Sequence, residues 1–193
     1  LLISLFCMVL ISGCEQENHD QQGQAIDPLK KHVGYLRLPL SSSLMTLDPG
    51  LIHKDVQIEV VEQLFLGLTD FDPNTYEVVP ELATDWQVSK DGTVYTFKLR
   101  QDVKWTDGEP VTAHDVVWAI QRNIAKKTDS LYAFTLYLIK NAKVIHQKAS
   151  KPISSLGVRA LDDYTVEFTL EQHAGYFPAL GSFRTYCPLQ RTV

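Results

Sequence analysis

Cys14 is the residue whose surroundings most plainly announce chemistry. It closes the run Ile11-Ser12-Gly13-Cys14, an aliphatic residue and two small ones before a thiol, and charge begins directly after it at Glu15. Signal peptidases need small residues before the cut, and a cysteine left at the new N-terminus can carry a diacylglycerol anchor. The stretch from Leu1 to Ile11 has no charge and only Ser4 as a polar interruption. It is too short to span a bilayer, which takes about 20 apolar residues, and reads as the apolar core of an export signal. Residues 1–13 are therefore assigned to a signal peptide whose initiator methionine and basic residues are expected upstream of Leu1. Residues 14–32 follow as a tether, since EQENHDQQGQ offers nothing to bury. Cys7 would leave with the signal and Cys14 would be lipidated, so Cys187 remains alone and no disulfide framework is available.

Other local signatures of catalysis are missing. There is no G-x-S-x-G elbow, S-x-x-K, P-loop, G-x-G-x-x-G or C-x-x-C. The six histidines, His19, His32, His53, His114, His146 and His173, are scattered, and no two stand three to five residues apart as a helical zinc pair requires. The expectation is a protein that is not an enzyme and carries no metal and no cofactor. Carboxylates distant in sequence can still meet in space, so a two-carboxylate hydrolase stays open at this level. The balance of 18 basic against 23 acidic residues, net −5, argues against a nucleic-acid partner and against electrostatic attachment to anionic lipid. At 45% hydrophobic, the remainder can bury an ordinary core.

The elements that would position any site follow from periodicity. Val33 to Leu38 alternates as a short strand, and Asp48-Pro49-Gly50 forces a turn. Ile58, Val61, Phe65 and Leu68 recur at helical spacing, with Asp55 as N-cap and Gly67 placed to end the run. Asp72-Pro73-Asn74 reads as a turn and Pro80-Glu81-Leu82-Ala83 as one loose helical turn. Trp86 to Arg100 is the clearest hairpin: Asp91-Gly92 separates two alternating runs, and Tyr95, Phe97 and Leu99 share a face. Thr112 and Asp115 form a capping box for a helix striped by Val116, Val117, Ile120 and Ile124. Leu131 to Ile145 is apolar and reads as helix, and Val158 to Leu170 as a second hairpin turning at Asp162-Asp163. The layout is mixed α/β with antiparallel pairs and no internal repeat.

The segment Pro80 to Thr112, PELATDWQVSKDGTVYTFKLRQDVKWTDGEPVT, closely resembles the signature region of the family 5 extracellular solute-binding proteins. The match is a succession: the Pro80-Glu81-Leu82-Ala83 lead, the Trp86 strand, the Asp91-Gly92 turn, and Lys104-Trp105-Thr106-Asp107-Gly108 before Pro110-Val111-Thr112. Leu47-Asp48-Pro49, Ala113-His114-Asp115-Val116-Val117 and Leu156-Gly157-Val158-Arg159-Ala160-Leu161-Asp162-Asp163 extend it, so the resemblance covers the chain from Val33 onward. It implies a two-lobed clamshell of the type II periplasmic-binding-protein kind, in which ligand is enclosed between the lobes. Complete members are more than twice this length. On this basis residues 33–65 would be the first segment of the large lobe, 66–188 a small inserted domain, and 189–193 the start of the return, cut short.

The same resemblance implies a peptide ligand, an ABC permease as partner, a membrane attachment through the lipid anchor, a monomer, and a location in the cell envelope outside the cytoplasm. The Lys151-Pro152-Ile153 to Asp162-Asp163 stretch and Ser130-Leu131-Tyr132-Ala133 point to the oligopeptide branch, where a tyrosine touches the ligand. Tyr132 is therefore the leading ligand contact, since a phenol can stack on a peptide and still hydrogen-bond to its main chain. His53 and Asp55 fall where the family's first ligand loop lies, although they depart from the residue types usual there. Trp86 and Trp105 sit in the framework signature and are expected to serve burial. Trp118 is left open, while Phe183, near the lobe crossing, is placed either in the core, the favoured reading, or on the cleft wall. The rival readings are a relative that binds nickel, haem, sugar or another solute, and a surface hydrolase or adhesin built on the same lobe.

Overall fold

A computed structural model describes residues 39–148 and 150–191. The proposed signal, Cys14, the tether and the Val33 to Leu38 strand lie outside the described residues. From Leu40 onward the chain forms one contact unit.

The chain enters through the expected turn, in which the N–H groups of Leu51 and Ile52 both donate to the Asp48 carbonyl. Helix α1 spans Asp55–Glu62. Two expectations fail here. The N-cap is Lys54, whose N–H donates to the buried Gln57 Oε1 at 3.3 Å, so Asp55 is the first helical residue and caps nothing. The helix also stops a turn and a half early. The Leu68 N–H donates to Gly181 O while Gly67 O receives the Leu82 N–H, so extended pairing captures the backbone that helical spacing had claimed.

Strands β1 (Thr69–Phe71) and β2 (Val78–Pro80) make a small antiparallel pair around the Asp72-Pro73-Asn74 turn. The helical turn expected at Pro80 to Ala83 is absent. The N–H groups of Leu82 and Ala83 are spent on the carbonyls of Gly67 and Leu68, which leaves none for an intrahelical bond. Strand β3 (Ala83–Val88) and β4 (Val94–Leu99) form the foreseen hairpin, with Gly92 at φ +67 in the turn, a conformation that favours glycine. Helix α2 (Ala113–Ile124) starts at its capping box: the Asp115 carboxylate accepts the Thr112 N–H at 2.8 Å. Val116, Ile120 and Ile124 are fully buried along it.

The continuous helix expected over Leu131 to Ile145 does not exist. A 3-10 turn at Ala133–Leu136 gives way to extended backbone, where Ile139 bridges Leu170 and the Lys140 N–H donates to Thr169 O. Asn141 then adopts φ +66, and a short helix α3 (Ala142–Lys148) follows. The segment lacks a polar face, so burial can be met by tucking it along the sheet edge as easily as by coiling it. Strands β5 (Val158–Asp162) and β6 (Thr165–Thr169) complete a four-stranded antiparallel sheet in the order β3-β4-β6-β5. Helix α4 (Phe177–Leu180) and a 3-10 turn at Arg184–Tyr186 close the described chain.

The core lies between the sheet and α2. Phe97, Phe168, Phe177 and Tyr186 are at most 1% exposed and meet edge-on or tilted, with ring centroids 5.3 to 6.3 Å apart. Trp86 and Trp105 pack partly buried against this cluster, in agreement with their framework role. Cys187 is buried, and burial pushes its thiol up to about 12, with Glu81 and Glu62 adding to the effect.

Candidate functional site

Tyr132 ends a loop that one buried and one partly buried contact hold in place. Ser130 Oγ donates to Gly50 O at 2.6 Å, tying the loop to the entry turn. Arg122, in the last turn of α2, makes a two-pronged ion pair with Asp48, one arm at 3.1 Å, so the same turn is anchored a second time. Tyr132 O accepts the Thr135 hydroxyl at 2.8 Å, which begins the 3-10 turn, and Thr135 Oγ1 lies 2.8 Å from Thr185 Oγ1. The second contact keeps the Tyr132 loop against the segment that holds Phe183 and Arg184.

The result is an aromatic platform around a cation. The Arg184 guanidinium carbon lies 3.9 Å from the Tyr132 ring centroid and 4.7 Å from that of Phe183. Tyr132 is also 5.9 Å from Phe134 and 6.1 Å from Phe183, ring to ring. Leu131 is 61% and Phe134 58% exposed, so the platform offers apolar surface to solvent. Among the described residues the Tyr132 hydroxyl has no hydrogen-bond partner and remains available. Phe183, favoured for the core, packs partly against the core and partly on this platform.

His53 and Asp55 stand apart from that cluster. Both are exposed, and the one contact of the His53 ring is a 3.5 Å approach to Leu51 O within its own turn. Asp55 makes no side-chain hydrogen bond with a described residue. The Gly50–Ser130 bond brings their segment next to the Tyr132 loop, and among the described residues neither side chain hydrogen-bonds to Tyr132.

Arg184 is the residue that sequence reasoning missed. Its one signal is a lone arginine in the apolar run FPALGSFRTYCPL, a place where a charge needs a reason. It lines a cavity of about 420 Å³ together with Glu62, Asp70, Glu81 and Cys187. Burial raises the Glu81 carboxyl from the ordinary 4.5 to about 7, against the pull of the Gly67 N–H, and Asp70 adds to the rise. A wider surface hollow of about 940 Å³ between the strand ends is lined by Lys98, Arg100, Asp102, Asp162 and Asp163. It contains none of the candidate residues, and Arg100 and Asp102 pair with each other there at 2.8 Å. Trp118 lines a third, smaller pocket with Trp105, Phe65 and the Asp48–Arg122 pair. Among the described residues no group of three or more histidine, cysteine or carboxylate side chains is disposed to hold a metal ion. No described helix is long and apolar enough to cross a membrane.

Comparison with known proteins agrees with this architecture. Residues 77–188 match the model for bacterial extracellular solute-binding proteins, family 5 Middle. The oligopeptide-binding protein OppA of Bacillus subtilis is 33% identical over 192 residues, covering 100% of this chain and 34% of that protein. The probable deoxycholate-binding periplasmic protein YgiS of Escherichia coli is 36% identical over 151 residues, covering 77% of this chain and 28% of that protein. The substrate-binding domain of an oligopeptide ABC transporter from Bacillus anthracis superposes with a TM-score of 0.72 at 38% identity, covering 76% of this chain and 28% of that one. The chain thus spans about a third or less of the length of these relatives.

Proposed function

This chain belongs to the bacterial extracellular solute-binding proteins of family 5, and from that premise we propose that it is part of a protein that captures peptides for an ABC importer. The observation that carries the reading is likeness over the whole chain to a protein named for oligopeptide binding. The platform at Tyr132 adds physical support. A half-buried phenol whose hydroxyl has no partner among the described residues, flanked by Phe134 and Phe183, can stack on a peptide and still reach its main chain.

In this reading residues 66–188 supply one wall of a cleft, residues 33–65 begin the opposing lobe, and the rest of the cleft comes from chain beyond this sequence. Closure is driven by contacts that exist in the closed form alone, and no bond is broken. Ordered water filling roomy side-chain pockets gives tolerance for different peptides, because a bridging water is nearly as good as a direct hydrogen bond. Lipidation at Cys14 holds the domain at the membrane beside its permease through the 14–32 tether. A second reading, a non-peptide solute, is favoured by one observation, the relative named for deoxycholate binding.

Calorimetric titration of the intact protein with peptides of two to five residues tests the proposal. Binding is expected, and Tyr132→Ala is expected to weaken it by about tenfold or more, the loss typical of truncating a central aromatic contact. Peptides without effect, alongside saturable binding of a bile salt, would replace the first reading with the second.

A further inference from the structure

Arg184 is 8% exposed, yet it takes part in no ion pair among the described residues, and its Nε is buried without a hydrogen-bond partner. A buried guanidinium normally sits on a carboxylate or on carbonyl oxygens, because its five donors lose water when it is enclosed. Here the Tyr132 ring lies over the group and Phe183 packs against an adjoining side, which leaves the buried Nε unserved. Stacking of this kind holds a guanidinium in one orientation while an anion meets its donors in the plane. Glu62, Asp70 and Glu81 share the cavity, but none comes within ion-pair distance of Arg184. The raised Glu81 carboxyl points the same way, since neighbouring Arg184 contributes nothing that would lower it.

Resting on the peptide-binding reading, we propose that Arg184 is a specificity residue that receives a carboxylate of the bound peptide beside Tyr132, and so selects acidic over neutral ligands. The carboxylate can be a peptide's C-terminus or an aspartate or glutamate side chain. Both present the same planar pair of oxygens to the same fork.

The test is competition binding on the intact protein with four tripeptides: Ala-Glu-Ala and Ala-Gln-Ala, each as free acid and as C-terminal amide. The wild type is expected to bind one acid about ten- to hundredfold more tightly than its amide counterpart, the range for a charge-assisted hydrogen bond. Loss on amidation of the terminus identifies the terminal carboxylate; loss on exchanging glutamate for glutamine identifies the side chain. In Arg184→Met that ratio falls to about one, and in Arg184→Lys it is intermediate, because lysine keeps the charge and loses the fork. Equal wild-type affinity for all four peptides overturns the inference and leaves peptide binding standing, as does a preference that persists in a folded Arg184→Met. Failure to bind any of the four overturns the peptide-binding reading itself.

Discussion

Replacing Glu81 by glutamine isolates one half-buried carboxyl in the family signature. In the unfolded chain Glu81 ionises around 4.5; in the folded protein it does so at about 7. Below pH 4.5 it is protonated in both states and costs nothing. Between 4.5 and 7 the unfolded chain gives up the proton that the folded chain keeps, so stability falls as pH rises, and above 7 the full penalty is present. That interval corresponds to about 3 kcal/mol at 1.36 kcal/mol per pH unit. Part of the group still reaches water, and screening reduces the expected effect to about 1–2 kcal/mol. Glu81→Gln keeps the shape and an oxygen for the Gly67 N–H but cannot ionise. Urea denaturation followed by the fluorescence of Trp86, Trp105 and Trp118 should show the variant gaining about 1–2 kcal/mol on the wild type between pH 4 and pH 8. Other titrating groups cancel in the difference. A gap independent of pH, or one that moves against the variant as pH rises, would refute the burial argument.

Three further perturbations probe the scaffold and the anchor. Asp48→Ala strands Arg122, whose side chain is 25% exposed, and removes the acceptor of the Gly50 N–H; a loss of about 2 kcal/mol in urea denaturation is expected, below the range for a fully buried pair. Gly157→Ala places a methyl 2.4 Å from Thr169 O and 2.7 Å from Lys140 Cβ; the edge must give way at a cost of about 1–3 kcal/mol, read as faster hydrogen exchange at the Lys140 and Thr169 amides. Cys14→Ala is expected to move the exported protein from the detergent phase to the aqueous phase in a phase-separation assay, and retention in the detergent phase would place the anchor elsewhere.

What could be read from the sequence was strictly local. The hairpin at Asp91-Gly92 and the helix behind Thr112 and Asp115 are each encoded by neighbours in the chain, and both stand as expected. The failures share a cause. Leu68, Leu82 and Ala83 are claimed by backbone partners elsewhere in the chain, and Ile139 by Leu170, so distant carbonyls override local spacing. The site divides in the same way. Tyr132 was singled out through likeness to a family, whereas Arg184 becomes a candidate only when its two rings and its empty Nε are seen together. His53 and Asp55, chosen by position, lie exposed at and just before the start of α1, and among the described residues neither side chain has a hydrogen bond that ties it to the Tyr132 platform.

Native mass spectrometry of the intact protein, purified gently from a bacterial host without its signal and Cys14, tests the central claim most directly. The account predicts a ladder of co-purified peptide masses that exchanges for an added peptide. A single non-peptide adduct that peptides fail to displace would contradict it.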